Sequence, residues 1–199
     1  KHRGPSSINW AIINGEDETG ISIFWPDKGL DTGPILMQKK VKISEDDSVG
    51  TLYFNKLFPM GIKAILESIK KIKNGEAPKI NQEEKNSNYQ GWCKETDTKI
   101  NWNSSYKQIH NLIRGADPQP GAHTIFKSNK IYLYGSKLFL SNHKKKYGSI
   151  LDISKDGIKI ACKNGEVKIN KIKEVGGKKI SAFEWSIIVK LKIGDIFDE

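Results

Sequence analysis

Between residues 122 and 172 the chain breaks into six apolar, β-branched runs, at 122–126, 131–134, 138–141, 148–153, 157–162 and 167–172. Val, Ile, Tyr and Phe suit a pleated surface, and the Gly, Asn and Asp between the runs supply turns. Gaps this short cannot hold the crossover of a dozen or more residues that parallel strands need. The C-terminal part of the chain is therefore expected to be a small antiparallel β-barrel.

The rest of the chain reads mostly as helix and loop. Ser6-Ser7 can cap a helix that carries Ile8, Ala11 and Ile12 and stops at Gly15. Ser44-Glu45-Asp46-Asp47-Ser48 is a helix-entry signal, because its acids suit the positive end of a helix dipole. The spacing of Leu52, Leu57, Ile62, Ile65, Leu66, Ile69 and Ile72 predicts a helix from Val49 to about Lys73, with Pro59 placed to kink it. Asn103 or Ser104 can cap a short helix through Tyr106, Ile109, Leu112 and Ile113, and Ser181 can cap a last one through Trp185. The apolar periodicity stops between residues 76 and 97. That polar stretch reads as a linker, which Tyr89 and Trp92 are expected to pin to a neighbouring surface.

One loop stands out in the first part. Ile21-Ser22-Ile23-Phe24-Trp25 and Ile35-Leu36-Met37-Gln38 read as strand sequence, and between them Pro26, Gly29, Gly33 and Pro34 fix a tight turn. Asp31 sits in its middle. A loop anchored by two strands is a common place to present a reactive side chain, and a polar hairpin turn also favours Asp and Gly.

The charge balance is 33 Lys and Arg against 23 Asp and Glu, a formal +10. Such an excess favours a polyanionic partner, while a composition rich in Lys, Ile and Asn produces the same excess with no partner at all. No apolar run approaches the roughly 20 residues that span a bilayer, and there is no signal-peptide pattern. Cys93 and Cys162 lie far apart, which suits a reducing, cytoplasmic setting. His2, His110, His123 and His143 are scattered, with no metal-ligand spacing.

Gly29-Leu30-Asp31-Thr32-Gly33 resembles the catalytic loop of the formyltetrahydrofolate-dependent formyltransferases. Lys1-His2-Arg3-Gly4-Pro5 resembles the end of that family's Ser-Leu-Leu-Pro-x-x-Arg-Gly motif, at a fitting distance from the loop. Ile100-Asn101-Trp102, Ile113-Arg114-Gly115, Pro120-Gly121-Ala122, Gly148-Ser149-Ile150, Asp156-Gly157-Ile158, Gly177 to Ala182 and Gly194-Asp195 are similar to landmarks of the family's C-terminal domain, in order. The resemblance implies an α/β protein. Residues 1–80 would be the C-terminal part of a Rossmann-like formyltransferase domain, 81–99 a linker, and 100–199 a small OB-like antiparallel β-barrel domain.

The resemblance also implies a chemistry. The cosubstrate would be 10-formyltetrahydrofolate, with Pro26, Asp27, Lys28, Gly29, Leu30 and Asp31 facing its pterin, Asp31 as the catalytic acid and no metal. The acceptor would be an amine, first of all that of methionyl-initiator tRNA. Arg3 and Gly4 would touch substrate, although Arg3 can equally ion-pair with Asp17 or Glu18. Lys144, Lys145 and Lys146 would contact tRNA phosphates, although a lysine-rich turn between strands reads the same way. Tyr132 or Tyr147 could stack on bases. The family's Asn and His lie just upstream of its Ser-Leu-Leu-Pro motif and so fall before Lys1. The chain, which begins inside a motif, is expected to be an N-terminally truncated, monomeric fragment, inactive alone. His2 is not a substitute base, for it occupies a variable position of the motif. The alternatives are a 10-formyltetrahydrofolate hydrolase or dehydrogenase type of domain, a sugar-nucleotide formyltransferase, and a non-enzymatic OB-like nucleic-acid-binding module.

Overall fold

A computed structural model describes residues 2–83, 85 and 87–198. The chain divides into two compact units at Trp92 and Cys93, with Ile13–Gly15 grouped in the second.

The first unit contains α1 (Ser7–Ile13) and a hairpin of β1 (Glu18–Phe24) and β2 (Ile35–Lys42), then α2 (Val49–Leu52) and α3 (Phe58–Lys73). The hairpin is antiparallel, with Ile21 opposite Lys39 and Ile23 opposite Met37. Ser48 caps α2, accepting from the Thr51 N–H at 3.2 Å while its own N–H donates to Thr51 Oγ1 at 2.8 Å. Between α2 and α3 the helix widens into a π turn, Tyr53–Leu57, in which the Phe58 N–H reaches back to the Tyr53 carbonyl. Pro59 explains the position, because it has no N–H to give and crowds the carbonyl four residues back. The expected kink is therefore a local widening.

Ile12, Leu52 and Leu57 form the core of this unit, with Ile8, Ile21, Val41, Ile43, Val49 and Met60 packed on it. Helix α3 buries Ala64 and Ser68, and the Ser68 hydroxyl lies 3.9 Å from Met37 Sδ on β2. The apolar stripe that predicts the helix faces the other way. Ile62, Ile65, Leu66, Ile69 and Ile72 are all exposed, Leu66 by 64%.

The polar stretch after α3 runs back along the same unit. Ile80 exchanges backbone hydrogen bonds with Ile35, at 2.7 and 3.0 Å. Arg3 N–H donates to Asn88 O and Gln90 N–H to Arg3 O, both at 2.9 Å. Tyr89 and Trp92 remain 63% and 69% exposed, so the backbone rather than their rings fixes this segment.

The second unit begins with a 3-10 turn, Glu95–Thr98, and α4 (Tyr106–Gly115). The cap of α4 is Ser105, one residue beyond the expected ones, in a reciprocal capping box with Gln108. The strands are β3 (Ala122–Phe126), β4 (Asn129–Leu140), β5 (Ile150–Ser154), β6 (Gly157–Cys162), β7 (Gly165–Glu174) and β8 (Ile180–Ser181), followed by α5 (Ala182–Ile188). The runs at 131–134 and 138–141 belong to one strand. Tyr134 pairs with Lys171 and Ser136 with Ile169, so the register on β7 is kept across Gly135.

The sheet order is β3-β4-β7-β6-β5, with β8 on the free half of one β7 edge, and every pair is antiparallel. The sheet is open, with β3 and β5 as its edges, and no closed barrel is found among the described residues. Among the described residues, isolated bridges reach those edges. Asp198 exchanges backbone bonds with Ile125, and Phe197 N–H donates to Gly148 O at 3.0 Å. Rings anchor that segment, since Phe197 packs on Trp102, Phe126 and Trp185 at centroid distances of 5.9, 5.6 and 6.1 Å. Trp102 Nε1 donates to Thr124 Oγ1, which in turn donates to Asp198 O at 2.6 Å.

The α/β expectation therefore holds for the chain, but neither finer architecture is seen. The described strands of the first unit form one antiparallel hairpin, as residues 25–34 are too few for a parallel crossover.

Candidate active site

The loop between β1 and β2 is closed at its base by Trp25 N–H donating to Pro34 O at 2.9 Å. Gly33 is obligatory there, since a Cβ would stand 1.7 Å from Trp25 O. Asp27 ties the interior. Its Oδ1 accepts from the Thr32 hydroxyl at 2.6 Å and from the Gly29 N–H at 2.9 Å. These bonds, the Thr32 one foremost, hold the Asp27 carboxyl below its ordinary value.

Asp31 adopts a left-handed backbone, φ +54°, which is uncommon for a residue with a side chain. Its Oδ2 accepts the backbone N–H of Gly4 at 3.1 Å. Gly4 itself lies at φ +117°, and a Cβ there would stand 2.2 Å from Gln90 O. The two segments singled out by sequence, Arg3-Gly4 and the Asp31 loop, are thus joined by a hydrogen bond.

Gln82 completes the arrangement, and sequence reading placed it only in a polar linker. Its Nε2 donates to the carbonyls of Asp31 at 2.9 Å and Gly33 at 2.7 Å, and its Oε1 accepts from Arg3 Nη2 at 2.9 Å. The one sequence hint is Ile80, an isolated apolar residue in a polar stretch, which pairs with β2 and brings Gln82 over the loop.

Arg3, Gly4, Asp31, Gln38, Lys39 and Gln82 line one groove of about 540 Å³ in this unit. That volume lies within the range of small-molecule sites. Pro26, Asp27, Lys28, Gly29 and Leu30 are exposed and do not line it. His2 lines the groove with its Nδ1 2.7 Å from Gln90 Oε1, while its Nε2 makes no hydrogen bond among the described residues and lies 3.4 Å from Glu16 Oε1. A carboxylate held by one N–H through one oxygen, in a groove, can orient a neighbouring base or pass a proton.

Lys144, Lys145 and Lys146 are exposed in the second unit and line a separate cleft of about 510 Å³ with Asn103, Tyr147 and Asp198. Tyr147 is partly exposed there. Tyr132 is differently placed. Its hydroxyl donates to Glu95, and that bond pushes its pKa up to about 12.

The two thiols are poor nucleophiles, since burial pushes Cys93 up to about 11 and Cys162 up to about 12. Among the described residues no group of three or more His, Cys, Asp or Glu is placed to hold a metal ion, and no helix is long and apolar enough to cross a membrane.

Two family models match the chain. One, described as formyl transferase, matches residues 1–68, and one, described as formyl transferase, C-terminal domain, matches residues 93–187. The human mitochondrial 10-formyltetrahydrofolate dehydrogenase is 44% identical over 142 residues, 71% of this chain and 15% of that protein. Methionyl-tRNA formyltransferase of Acetivibrio thermocellus is 35% identical over 200 residues, 100% of this chain and 64% of that protein. Among solved structures, a variant of HypX from Aquifex aeolicus superposes with a TM-score of 0.80 at 18% identity, over 98% of this chain and 34% of that one, a likeness of fold. The chain thus spans less than two thirds of the length of each of these proteins.

Proposed function

This chain belongs to the formyl transferase family, and from that premise we propose that it is part of an enzyme that moves a formyl group from 10-formyltetrahydrofolate to an amine. The amine we propose is that of methionyl-initiator tRNA, and the first unit is then the C-terminal part of a Rossmann-like catalytic domain.

The observation that carries the proposal is the Gly4–Asp31 bond, which brings the family's two motifs together at one groove. Formyl transfer to an amine passes through a tetrahedral intermediate, so a site must stabilise an oxyanion, take a proton from the amine nitrogen that attacks and protonate the departing folate nitrogen. Asp31 would take the proton-handling share, by orienting a histidine such as that of the family's Asn–His pair. The pterin would lie against the 26–31 loop, and Arg3 would meet a carbonyl or anionic group of substrate.

Support for the tRNA comes from the match to a methionyl-tRNA formyltransferase along the whole of this chain, the +10 charge, and the cleft that gathers Lys144, Lys145 and Lys146 beside Tyr147. A second reading, formyl passed to water or a tethered group, is favoured by the higher identity to the dehydrogenase. The test follows 10-formyltetrahydrofolate consumption by this chain joined to a preceding segment that supplies the family's Asn and His. Consumption that needs methionyl-initiator tRNA supports the first reading. Consumption without it supports the second.

A further inference from the structure

We infer that Gln82 is a positioning residue for Asp31, holding the left-handed loop backbone from which the carboxylate reaches Gly4. This rests on the reading of Asp31 as the proton-handling group.

A left-handed backbone is strained for a residue with a side chain, and such a conformation persists only where surrounding bonds over-determine it. At Asp31, φ +54°, the bonds to its backbone carbonyl and to that of Gly33 both come from the Gln82 side chain. The two N–H groups of one planar amide therefore fix the peptide planes that follow Asp31 and Gly33, with Thr32 between them. The amide can be oriented only this way, since the flipped form would set Oε1 against two carbonyl oxygens. Its Oε1 meanwhile accepts from Arg3, the neighbour of Gly4, whose N–H holds the Asp31 carboxylate. One side chain thus ties the loop to the segment that receives the carboxylate. Gln82 is itself placed by the reciprocal Ile80–Ile35 pairing two residues earlier.

Glutamate in place of Gln82 keeps an acceptor for Arg3 but loses both donors and turns an oxygen toward the two carbonyls. Methionine keeps the length and removes all polar contacts. The pair separates the clamp on the loop from the tether to Arg3.

The test is an NMR pH titration of the 199-residue chain that follows the Gly4 amide. His2, Arg3 and Glu16 also lie around this groove, so the part of the Gly4 titration that Asp31→Asn abolishes is taken as the carboxylate's own. Gln82→Met and Gln82→Glu should each lose most of that part, with the Ile35 and Ile80 amides unmoved. Retention of the full titration in Gln82→Met, or its return in Gln82→Glu, would overturn the inference. Movement of Ile35 and Ile80 as well would also overturn it, because Gln82 would then hold the fold rather than the loop. No folate or acceptor enters the measurement, so its failure is distinct from a failure of formyl transfer, which turnover alone decides.

Discussion

Gly4 donates its backbone N–H to the Asp31 carboxylate at 3.1 Å, across 27 residues of sequence. Gly4 can do so because it has no Cβ. Its φ of +117° and the carbonyl of Gln90, 2.2 Å from where a Cβ would stand, exclude every other residue. Gly4→Ala should destabilise the first unit by about 2 kcal/mol. Denaturant unfolding followed by Trp10 and Trp25 fluorescence would measure this, and an unchanged midpoint would show that the segment shifts without cost.

Asp47 predicts an acid-sensitive first unit. Asp47 is 6% exposed, and its carboxylate bonds Lys56 Nζ at 2.5 Å and the Ser44 N–H and hydroxyl at 2.7 Å each. Burial alone would raise its pKa, but the Lys56 and Ser44 bonds outweigh burial and hold the carboxyl below 3.8. A folded pKa below the unfolded one means that this stability is present above about pH 4 and is lost as pH falls through the folded value. Asp47→Asn should cost about 2 kcal/mol at pH 7 and less at pH 3, a difference readable from urea midpoints at the two pH values.

The outer stripe of α3 should matter little to the fold of this chain. Replacing Ile65, Leu66 and Ile69 by Gln removes exposed apolar surface and should change stability by no more than about 0.5 kcal/mol per site. Leu57→Ala, in the buried core, should cost about 2–5 kcal/mol. Binding of a hydrophobic dye should fall in the triple variant. A large stability loss there would mean that the stripe is packed.

Much of the local structure was legible in the sequence. β3 and β6 fall where the apolar runs place them, Ser48 and Ser181 cap their helices, and the Asp31 loop sits between two paired strands. What was not legible is set by long-range pairing. A glycine at Gly135 looks like a break, yet the register on β7 carries one strand across it. Helical spacing identified α3 but not which of its sides is buried, because Ala64 and Ser68 can approach the hairpin closely while bulkier residues cannot. Gln82 gave no signal beyond its neighbour Ile80, since the reach of a side chain to Asp31 depends on a backbone pairing 45 residues apart in sequence. The edges of the open sheet depend likewise on Ile196 and Asp198, at the far end of the chain.

The lysine cleft predicts a salt effect. If Lys144, Lys145 and Lys146 meet phosphate, reversing all three to Glu should weaken tRNA binding and flatten its dependence on salt by about two to three units of log K per log salt. Fluorescence titration at several salt concentrations measures the slope. An equal slope in the variant would place the phosphate contacts elsewhere.

The most direct measurement compares wild type with Asp31→Asn, each joined to the upstream Asn–His segment, in single-turnover consumption of 10-formyltetrahydrofolate. Asparagine keeps an oxygen for the Gly4 N–H and the shape of the loop, but it carries no charge and cannot orient a protonated histidine. The account predicts a folded variant whose rate falls by about 100-fold or more. A rate within about threefold of wild type, or roughly 0.65 kcal/mol in barrier height, would contradict it and remove Asp31 from the chemistry.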